Sequence, residues 1–362
     1  MRMIGLMSGT SLDGVDAALV DFDADGQPAL AGHIHHAYPS GLADQLRAVH
    51  GDSPLRTVLM LDARLAEVYA DTVSALRSAT GAARGSVDGI ALHGQTLWHA
   101  PAADPPVTCQ IGDPSRLAEA TGIRVIADFR QRDLAAGGEG APLAPLFHAA
   151  LFGCDHRRCV VNIGGVANVS VLAAGGQALG GFDTGPGNTL MDAWTRRHLG
   201  AAFDQDGRWA ASGSVDQGLL EALLADPYFR RPPPKSIDVR SFDLAWLARY
   251  RGTSERPADI QATLLALTAE SLCAAIDEWG GAPEDVVVTG GGALNAGLRR
   301  AIAGRLAPCP LRTGDELGVP ASLVEAIGFA WLGRAALRRD RLDLASITGA
   351  RRPVPLGGIY PA

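Results

Sequence analysis

One order of elements is written twice along this chain, and that repetition constrains the fold more than any single motif. The first half opens on an apolar run over 3–7, followed by the polar stretch Ser8-Gly9-Thr10-Ser11-Leu12-Asp13-Gly14 and a second strand over 15–20. The turn Asp23-Ala24-Asp25-Gly26 leads to a third strand over 31–37. Three strands joined by tight turns predict an antiparallel meander. Apolar residues at spacings of three and four, among them Leu61, Leu65, Val68, Val73 and Leu76, predict a helix over 55–79. Strands over 87–92, 107–111 and 124–127, with a helix from Pro114, complete the half. The second half repeats the order. Strands over 159–163, 166–172 and 178–182 are joined by Gly164-Gly165 and Gly175-Gly176. Helices over 188–199 and 215–224 follow. A long one over 257–279 carries Ile260, Leu264, Leu267, Leu272, Ile276 and Trp279 on one stripe, with Gly280-Gly281 as its stop. A strand over 286–288 and a helix over 323–337 close the series. A duplicated α/β fold is the economical reading.

A length of 362 residues suits two domains of about 100–200 residues each. The first is expected to cover 1–127 and to be rejoined by a C-terminal segment from about 340, the second to cover 128–339. Gly137-Gly138-Glu139-Gly140 reads equally as a hinge between the halves or as an ordinary surface loop.

Composition removes several function classes. With 39 acidic against 32 basic residues the net charge is −7, and no basic block stands out. That disfavours a nucleic-acid platform and an acidic membrane surface as partners. The apolar runs fall short of the ~18 residues of a membrane span, and Met1 does not open a signal peptide, so a soluble, unprocessed protein is expected. The cysteines Cys109, Cys154, Cys159, Cys273 and Cys309 are odd in number and form no CxxC pair, which points to reduced thiols in the cytoplasm. Lys235 is the only lysine among the 32 basic residues, and it follows Pro232-Pro233-Pro234 rather than a glycine loop. The GxxxxGK[ST] phosphate loop and the protein-kinase strand lysine are both absent from the sequence.

The candidate chemistry lies at turns and strand ends. Gly9-Thr10-Ser11-Leu12-Asp13-Gly14-Val15-Asp16 supplies glycines for close backbone approach and hydroxyl donors without bulk, as a lysine-free phosphate site needs. A decorated hairpin turn would read the same way. Asn162-Ile163-Gly164-Gly165-Val166-Ala167-Asn168 occupies the matching place in the second half. In Thr289-Gly290-Gly291-Gly292-Ala293-Leu294-Asn295, a buried strand runs into three glycines that offer bare backbone to a flat base or ribose, and then into an N-capping asparagine. It lacks the third glycine of a dinucleotide fingerprint. Asp183 stands at the carboxyl end of a strand, where ligands gather in α/β folds. There a carboxylate acts as a general base, binds a metal or caps the turn. His93-Gly94-Gln95-Thr96 and Asp128-Phe129-Arg130 follow strands in the same manner, and Arg130 suits a phosphate, a carboxylate or an ion pair. Glu325 lies among Leu323, Val324, Ile327 and Phe329, and a buried carboxylate there must be paired or functional. His33-Ile34-His35-His36 has no acidic or cysteine neighbour in sequence and reads as an exposed strand face.

Taken in order, the three glycine segments resemble the phosphate and adenosine motifs of the sugar kinase, Hsp70 and actin superfamily. More closely, the chain resembles the anhydro-N-acetylmuramic acid kinases from end to end. The resemblance is carried by Gly5-Leu6-Met7-Ser8-Gly9-Thr10-Ser11-Leu12-Asp13-Gly14, His93-Gly94-Gln95-Thr96, Ala127-Asp128-Phe129-Arg130 and Gly140-Ala141-Pro142-Leu143. It continues in Asn162-Ile163-Gly164-Gly165, Asp183-Thr184-Gly185-Pro186-Gly187-Asn188, Gly290-Gly291-Gly292-Ala293 and Thr348-Gly349-Ala350-Arg351-Arg352-Pro353. It implies a duplicated actin-like, ribonuclease H-like ATPase fold of two domains with a cleft between them, usually as a cytoplasmic homodimer. It also implies ATP- and Mg²⁺-dependent opening of the 1,6-anhydro ring of anhydro-N-acetylmuramate with phosphorylation of O6, in cell-wall recycling. Carried over residue by residue, Gly9 to Asp16, Asn162, Gly164, Gly165 and Gly290 to Gly292 would bind ATP, with Asp13 available to Mg²⁺. Asp183 would be the base that activates water, and His93, Gln95, Arg130 and Glu325 would lie near the sugar or phosphates. The chain departs from the family pattern at Lys235-Ser236-Ile237-Asp238-Val239-Arg240, where a Lys-Ser-Thr-Gly-Arg-like stretch is expected, and at Leu97-Trp98.

Overall fold

β1 (Arg2–Met7), β2 (Gly14–Phe22) and β3 (Pro28–Ala37) form the expected antiparallel meander. The computed structural model describes residues 1–9, 12–237, 241–252 and 256–362. Thr10, Ser11 and the Asp238-Val239-Arg240 part of the divergent stretch therefore lie outside the described residues. After α1 (Leu42–Arg47), the periodic segment forms α2 (Leu55–Thr80), ended by the left-handed Gly81. Its Leu61, Leu65, Val68, Tyr69, Val73 and Leu76 are buried in the core with Ile4, Leu6, Val15 and Leu19. β4 (Gly89–Leu92) adds to β1 in parallel, as does β7 (Val125–Ala127) to β4. Between them lie β5 (Gln95–Ala100) and β6 (Val107–Ile111), which form a separate two-stranded ribbon, and then α3 (Pro114–Thr121), capped by Asp113. The sequence reading found β6 but not β5, whose residues do not alternate in polarity. α4 (Phe129–Ala135) and α5 (Ala144–Phe152) follow.

The second sheet repeats the plan. β8 (Arg158–Ile163), β9 (Val166–Leu172) and β10 (Ala178–Pro186) make an antiparallel meander. Four helices come next: α6 (Thr189–Leu199), α7 (Gln217–Leu224), the short α8 (Leu244–Ala248) and α9 (Pro257–Trp279). β11 (Asp285–Thr289) pairs in parallel with β8, α10 (Ala296–Leu306) crosses over, and β12 (Leu311–Thr313) pairs in parallel with β11. Arg158 and Asp285 face each other in that register through two bonds of 2.7 Å, which carries β11 one residue further back than its apolar run. α9 is long and apolar enough to cross a membrane by length and composition alone, yet its Ile260, Leu264, Leu267, Leu272 and Ile276 are buried in the second core. Each such side chain contributes about 1.5–3 kcal/mol by leaving water. Trp279, expected on the same stripe, is a partly exposed end of it.

The chain then returns through α11 (Val324–Arg338) to β13 (Gly358–Tyr360), which pairs with β7 at the edge of the first sheet. The strand orders are β3-β2-β1-β4-β7-β13 and β10-β9-β8-β11-β12, so each sheet reads third-second-first-fourth-fifth in its own numbering, with β13 a sixth strand on the first. This is the duplicated ribonuclease H-like fold of the actin-like ATPases. Two compact units result, Met1–Leu151 with Glu325–Ala362, and Phe152–Val324. The first therefore extends past residue 127 at one crossing and begins again before 340 at the other. α11 explains the second difference: a Cβ on Gly5 of β1 would overlap the Ala326 carbonyl of α11, so helix and strand are in backbone contact. Gly137-Gly138-Glu139-Gly140 lies inside the first unit. There Gly140 N–H donates to Asp133 Oδ2 at 2.7 Å and Glu139 N–H to the Thr348 carbonyl at 2.8 Å, tying it to the C-terminal segment.

His148 of α5 is fully buried, edge-on to Phe147, and burial holds its pKa down at about 3. The folded chain keeps it neutral, whereas the unfolded chain protonates it below about 6.5. Its contribution to stability is complete above the unfolded value and drains away as pH falls toward 3, at about 1.4 kcal/mol per pH unit. His148→Leu should accordingly lose less melting temperature than the parent between neutral pH and about pH 4. Equal losses in thermal melts would contradict a neutral buried imidazole.

Candidate functional site

The first candidate loop is braced from beneath. Leu12, at φ +56°, donates its N–H to the Gly9 carbonyl at 3.3 Å, and Tyr38 N–H donates to the Asp13 carbonyl at 3.1 Å. Gln95 spans the gap: its Nε2 donates to the Gly9 carbonyl at 3.3 Å, and its Oε1 accepts from Tyr38 OH at 3.0 Å. Ser8 Oγ and Tyr69 OH share a bond of 2.6 Å below. Gln95 is buried, so its amide holds the loop in shape. Gly14 is required by packing, since a Cβ there would overlap the His36 carbonyl of β3. Asp13 is exposed at the tip, whereas Val15 is wholly in the core. Asp16 Oδ1 lies 2.8 Å from His35 Nδ1, and burial pushes the Asp16 carboxyl up despite that partner. The histidine triplet thus has the acidic neighbour that linear sequence hid, one strand away. Among the described residues, no three His, Cys, Asp or Glu side chains gather to hold a bare metal ion.

The second hairpin is laced to the start of α6. Gly187 N–H donates to the Gly165 carbonyl at 2.9 Å and Asn188 N–H to the Gly164 carbonyl at 2.8 Å. Asn188 Nδ2 donates to the Ile163 carbonyl at 3.1 Å and Thr189 Oγ1 to the Gly165 carbonyl at 2.8 Å. The triple glycine abuts the same hairpin. A Cβ on Gly290, at φ +77°, would overlap Asn162 Oδ1, and one on Gly292 would overlap Ile163. Gly291 is exposed, and its Cβ would meet only Asn188 Nδ2 at 3.6 Å. Gly291–Leu294 forms one 3₁₀ turn before Asn295, whose Oδ1 accepts from Leu298 N–H at 3.0 Å as the expected cap.

Asp183 lies within β10 rather than beyond its end, because the strand continues to Pro186. A bulge follows it directly: Asp183 pairs with Asn168 and Gly185 with Ala167, leaving Thr184 extra. Asn168 in turn pairs with Asn162, and Asn162 with Thr289. Residues directly opposite on neighbouring strands share a face, so Thr289, Asn162, Asn168 and Asp183 form one polar row across the sheet. Their face is opposite the one that packs Val161, Ile163, Ala167 and Val169 into the core. Asn162 Oδ1 and Asn168 Oδ1 are buried and have no partner among the described residues, a state that invites a donor from outside. The sequence reading did not single out Asn168 as a site residue. Its signal was its place opposite Asn162 across the Gly164-Gly165 turn.

In the first unit, His93 and Arg130 meet. His93 Nε2 accepts from Arg130 Nε at 3.2 Å and Nη2 at 3.1 Å, while Arg130 Nη1 donates to the Gly140 carbonyl at 2.9 Å. An accepting Nε2 assigns the proton to Nδ1. Burial, then the neighbouring guanidinium, bring the His93 pKa down to about 3, so the ring is a neutral prop for Arg130. Phe329 of α11 packs on the His93 ring at 4.7 Å, and Glu325 precedes Phe329 by one helical turn. Glu325 is half-buried, not buried as its apolar neighbours suggested, because it falls on the first turn of α11.

A family model for anhydro-N-acetylmuramic acid kinase matches residues 1–362. The chain belongs to the anhydro-N-acetylmuramic acid kinase family. Curated members agree over nearly their whole length. Those of Nitrosospira multiformis and Chromobacterium violaceum are 46% and 47% identical, each covering 99% of this chain and 98% of its own. Component A of the (R)-2-hydroxyglutaryl-CoA dehydratase of Acidaminococcus fermentans is a solved structure of similar fold. It has a TM-score of 0.50 at 12% identity, over 91% of this chain and 96% of that one. Most of the quoted words fall on hairpins and strand ends of the two sheets; Gly140-Ala141-Pro142-Leu143 lies between α4 and α5, and Thr348 to Pro353 in the segment after α11.

Proposed function

We propose that the chain uses ATP to open the 1,6-anhydro ring of anhydro-N-acetylmuramate and phosphorylate O6, releasing N-acetylmuramate 6-phosphate and ADP. The observation that carries this reading is the family match along the whole chain, with the acidic residue Asp183 in one row with Asn168 and Asn162, whose amide oxygens have no partner among the described residues. Water attacks the anomeric carbon while Asp183 takes its proton. The C1–O6 bond breaks, and O6 takes the γ-phosphoryl group, so the phosphoryl group does for the leaving oxygen what an acid does in ordinary glycoside hydrolysis. The Gly9–Asp16 hairpin and Asn162, Gly164 and Gly165 offer backbone and amide donors to phosphates, and Gly290 to Gly292 offer a surface to the base or ribose. Arg130, held by His93, is the cation for a phosphate or the lactyl carboxylate, and Glu325, one turn before the Phe329 that packs on His93, is assigned to the sugar. Gln95 acts through the loop it braces.

A Mg²⁺ ion would be carried on the nucleotide and held by one carboxylate and water. Asp13, exposed at the hairpin tip, is the residue to hold it. When bound, Mg²⁺ neutralises phosphate charge during transfer. A cytoplasmic homodimer is the setting the family suggests.

Turnover in ¹⁸O-labelled water tests the reaction. Label should enter the sugar at its anomeric hydroxyl and stay out of the transferred phosphate. Label in phosphate would mean that water attacks phosphorus, and label in neither would mean phosphorylation of an existing hydroxyl.

A further inference from the structure

The only lysine of the chain is spent in an unusual place. Lys235 is 2% exposed, and among the described residues its ammonium makes no ion pair. Nζ donates to the carbonyls of Phe229 at 3.3 Å and Tyr228 at 3.5 Å, and lies over the Tyr228 ring at 4.9 Å and the Phe182 ring at 5.7 Å. Burying an ammonium without a carboxylate in direct contact is costly, and burial pushes its pKa down. A methionine would fill the same space at no such cost, so packing does not explain a lysine.

The backbone around it supplies the reason. Asp183 N–H donates to the Lys235 carbonyl at 3.1 Å, and two residues later Ile237 N–H donates to Asp183 Oδ2 at 2.9 Å. Tyr228, whose carbonyl Lys235 holds, donates its OH to the Asp183 carbonyl at 2.7 Å. The ammonium therefore closes a ring: Lys235 to Tyr228, Tyr228 to Asp183, and Asp183 back to Lys235. Ile237, itself packed on the second core, is fixed at the end of the strap. We propose that Lys235 is a positioning residue for the Asp183 carboxylate, pinning the 228–237 strap so that the Ile237 N–H holds one carboxylate oxygen in place.

The proposal rests on the reading of Asp183 as the base. An N–H bond to a carboxylate favours its ionised form, so the strap that orients the base also supplies a donor to that form. The charges that reach Lys235 are Glu278 of α9, Arg231 and Asp183 itself. No phosphate role is assigned to the lysine.

Lys235→Met keeps length and apolar volume and removes the charge; Tyr228→Phe removes only the hydroxyl. Both should lower kcat, the first by about 10- to 100-fold, as displacement of a reacting group by about an ångström does. ATP affinity by calorimetry should stay within about twofold, and the acid limb of the kcat–pH profile should move to higher pH, because the carboxylate loses a donor. Unchanged kcat in Lys235→Met overturns the proposal. So does a fall in kcat with the acid limb unmoved, or one accompanied by lost ATP binding. Asp183→Asn separates this from the underlying reading. If that variant turns over normally, the base is misassigned whatever Lys235 does. If it is inactive while Lys235→Met is normal, only the positioning role falls.

Discussion

Asp183→Asn should cut turnover by roughly 10²- to 10⁴-fold, the usual effect of removing a general base, and leave ATP binding nearly unchanged. The substitution keeps the shape of the side chain. Its acceptor oxygen still meets the Ile237 N–H, and the backbone bonds of Asp183 to Lys235 and Tyr228 do not involve the carboxylate. Folding and the strap should survive, so the loss belongs to proton transfer. The triple glycine and the two hairpins are untouched. Calorimetry with ATP and a steady-state assay with the anhydro sugar check both halves of this expectation. Turnover within tenfold of the parent would remove Asp183 from the chemistry. Loss of ATP affinity as well would mean that the carboxylate belongs to the nucleotide site.

Most of the fold could be read because each half announces itself by pattern. α2 and α9 have unbroken helical spacing with a glycine directly after the last turn, and the structure ends them there. The meanders were legible from apolar runs broken by Gly-bearing turns. Long-range pairing was not. β5 is held by β6 rather than by its own alternation, and β10 runs on past Phe182 because Asn168 and Ala167 supply partners. The same limit applied to the site. Glycine words and Asp183 stand in linear sequence, but the partnership of Asp16 with His35, or of Asp183 with Asn168, depends on strand register. The hold of Ile237 on the Asp183 carboxylate crosses 54 positions and uses a backbone N–H, which no side-chain pattern encodes.

The three glycines at 290–292 differ in why they are glycine, and that difference gives the second large effect. Gly290 needs its positive φ and would collide with Asn162, and Gly292 would collide with Ile163, so both are fixed by folding. Gly291 is fixed by neither: no positive φ is needed, and a Cβ would make only an ordinary van der Waals contact, 3.6 Å from Asn188 Nδ2. If bare backbone at 291 receives the base or ribose, Gly291→Val should fold with a melting temperature close to the parent and lose ATP affinity by about 100-fold. Wedging a branched side chain into a packed contact costs about 1–3 kcal/mol, and each 1.4 kcal/mol is about tenfold in Kd. Gly290→Val should do the opposite, destabilising the fold before binding can be measured. Lys235→Ala, beside them, should leave ATP affinity nearly intact, since its ammonium faces two carbonyls and two rings within its own unit. Calorimetry and thermal melts on the three variants decide it: normal ATP binding in Gly291→Val would take the base and ribose away from this turn, and lost binding in Lys235→Ala would bring the lysine back to the phosphates.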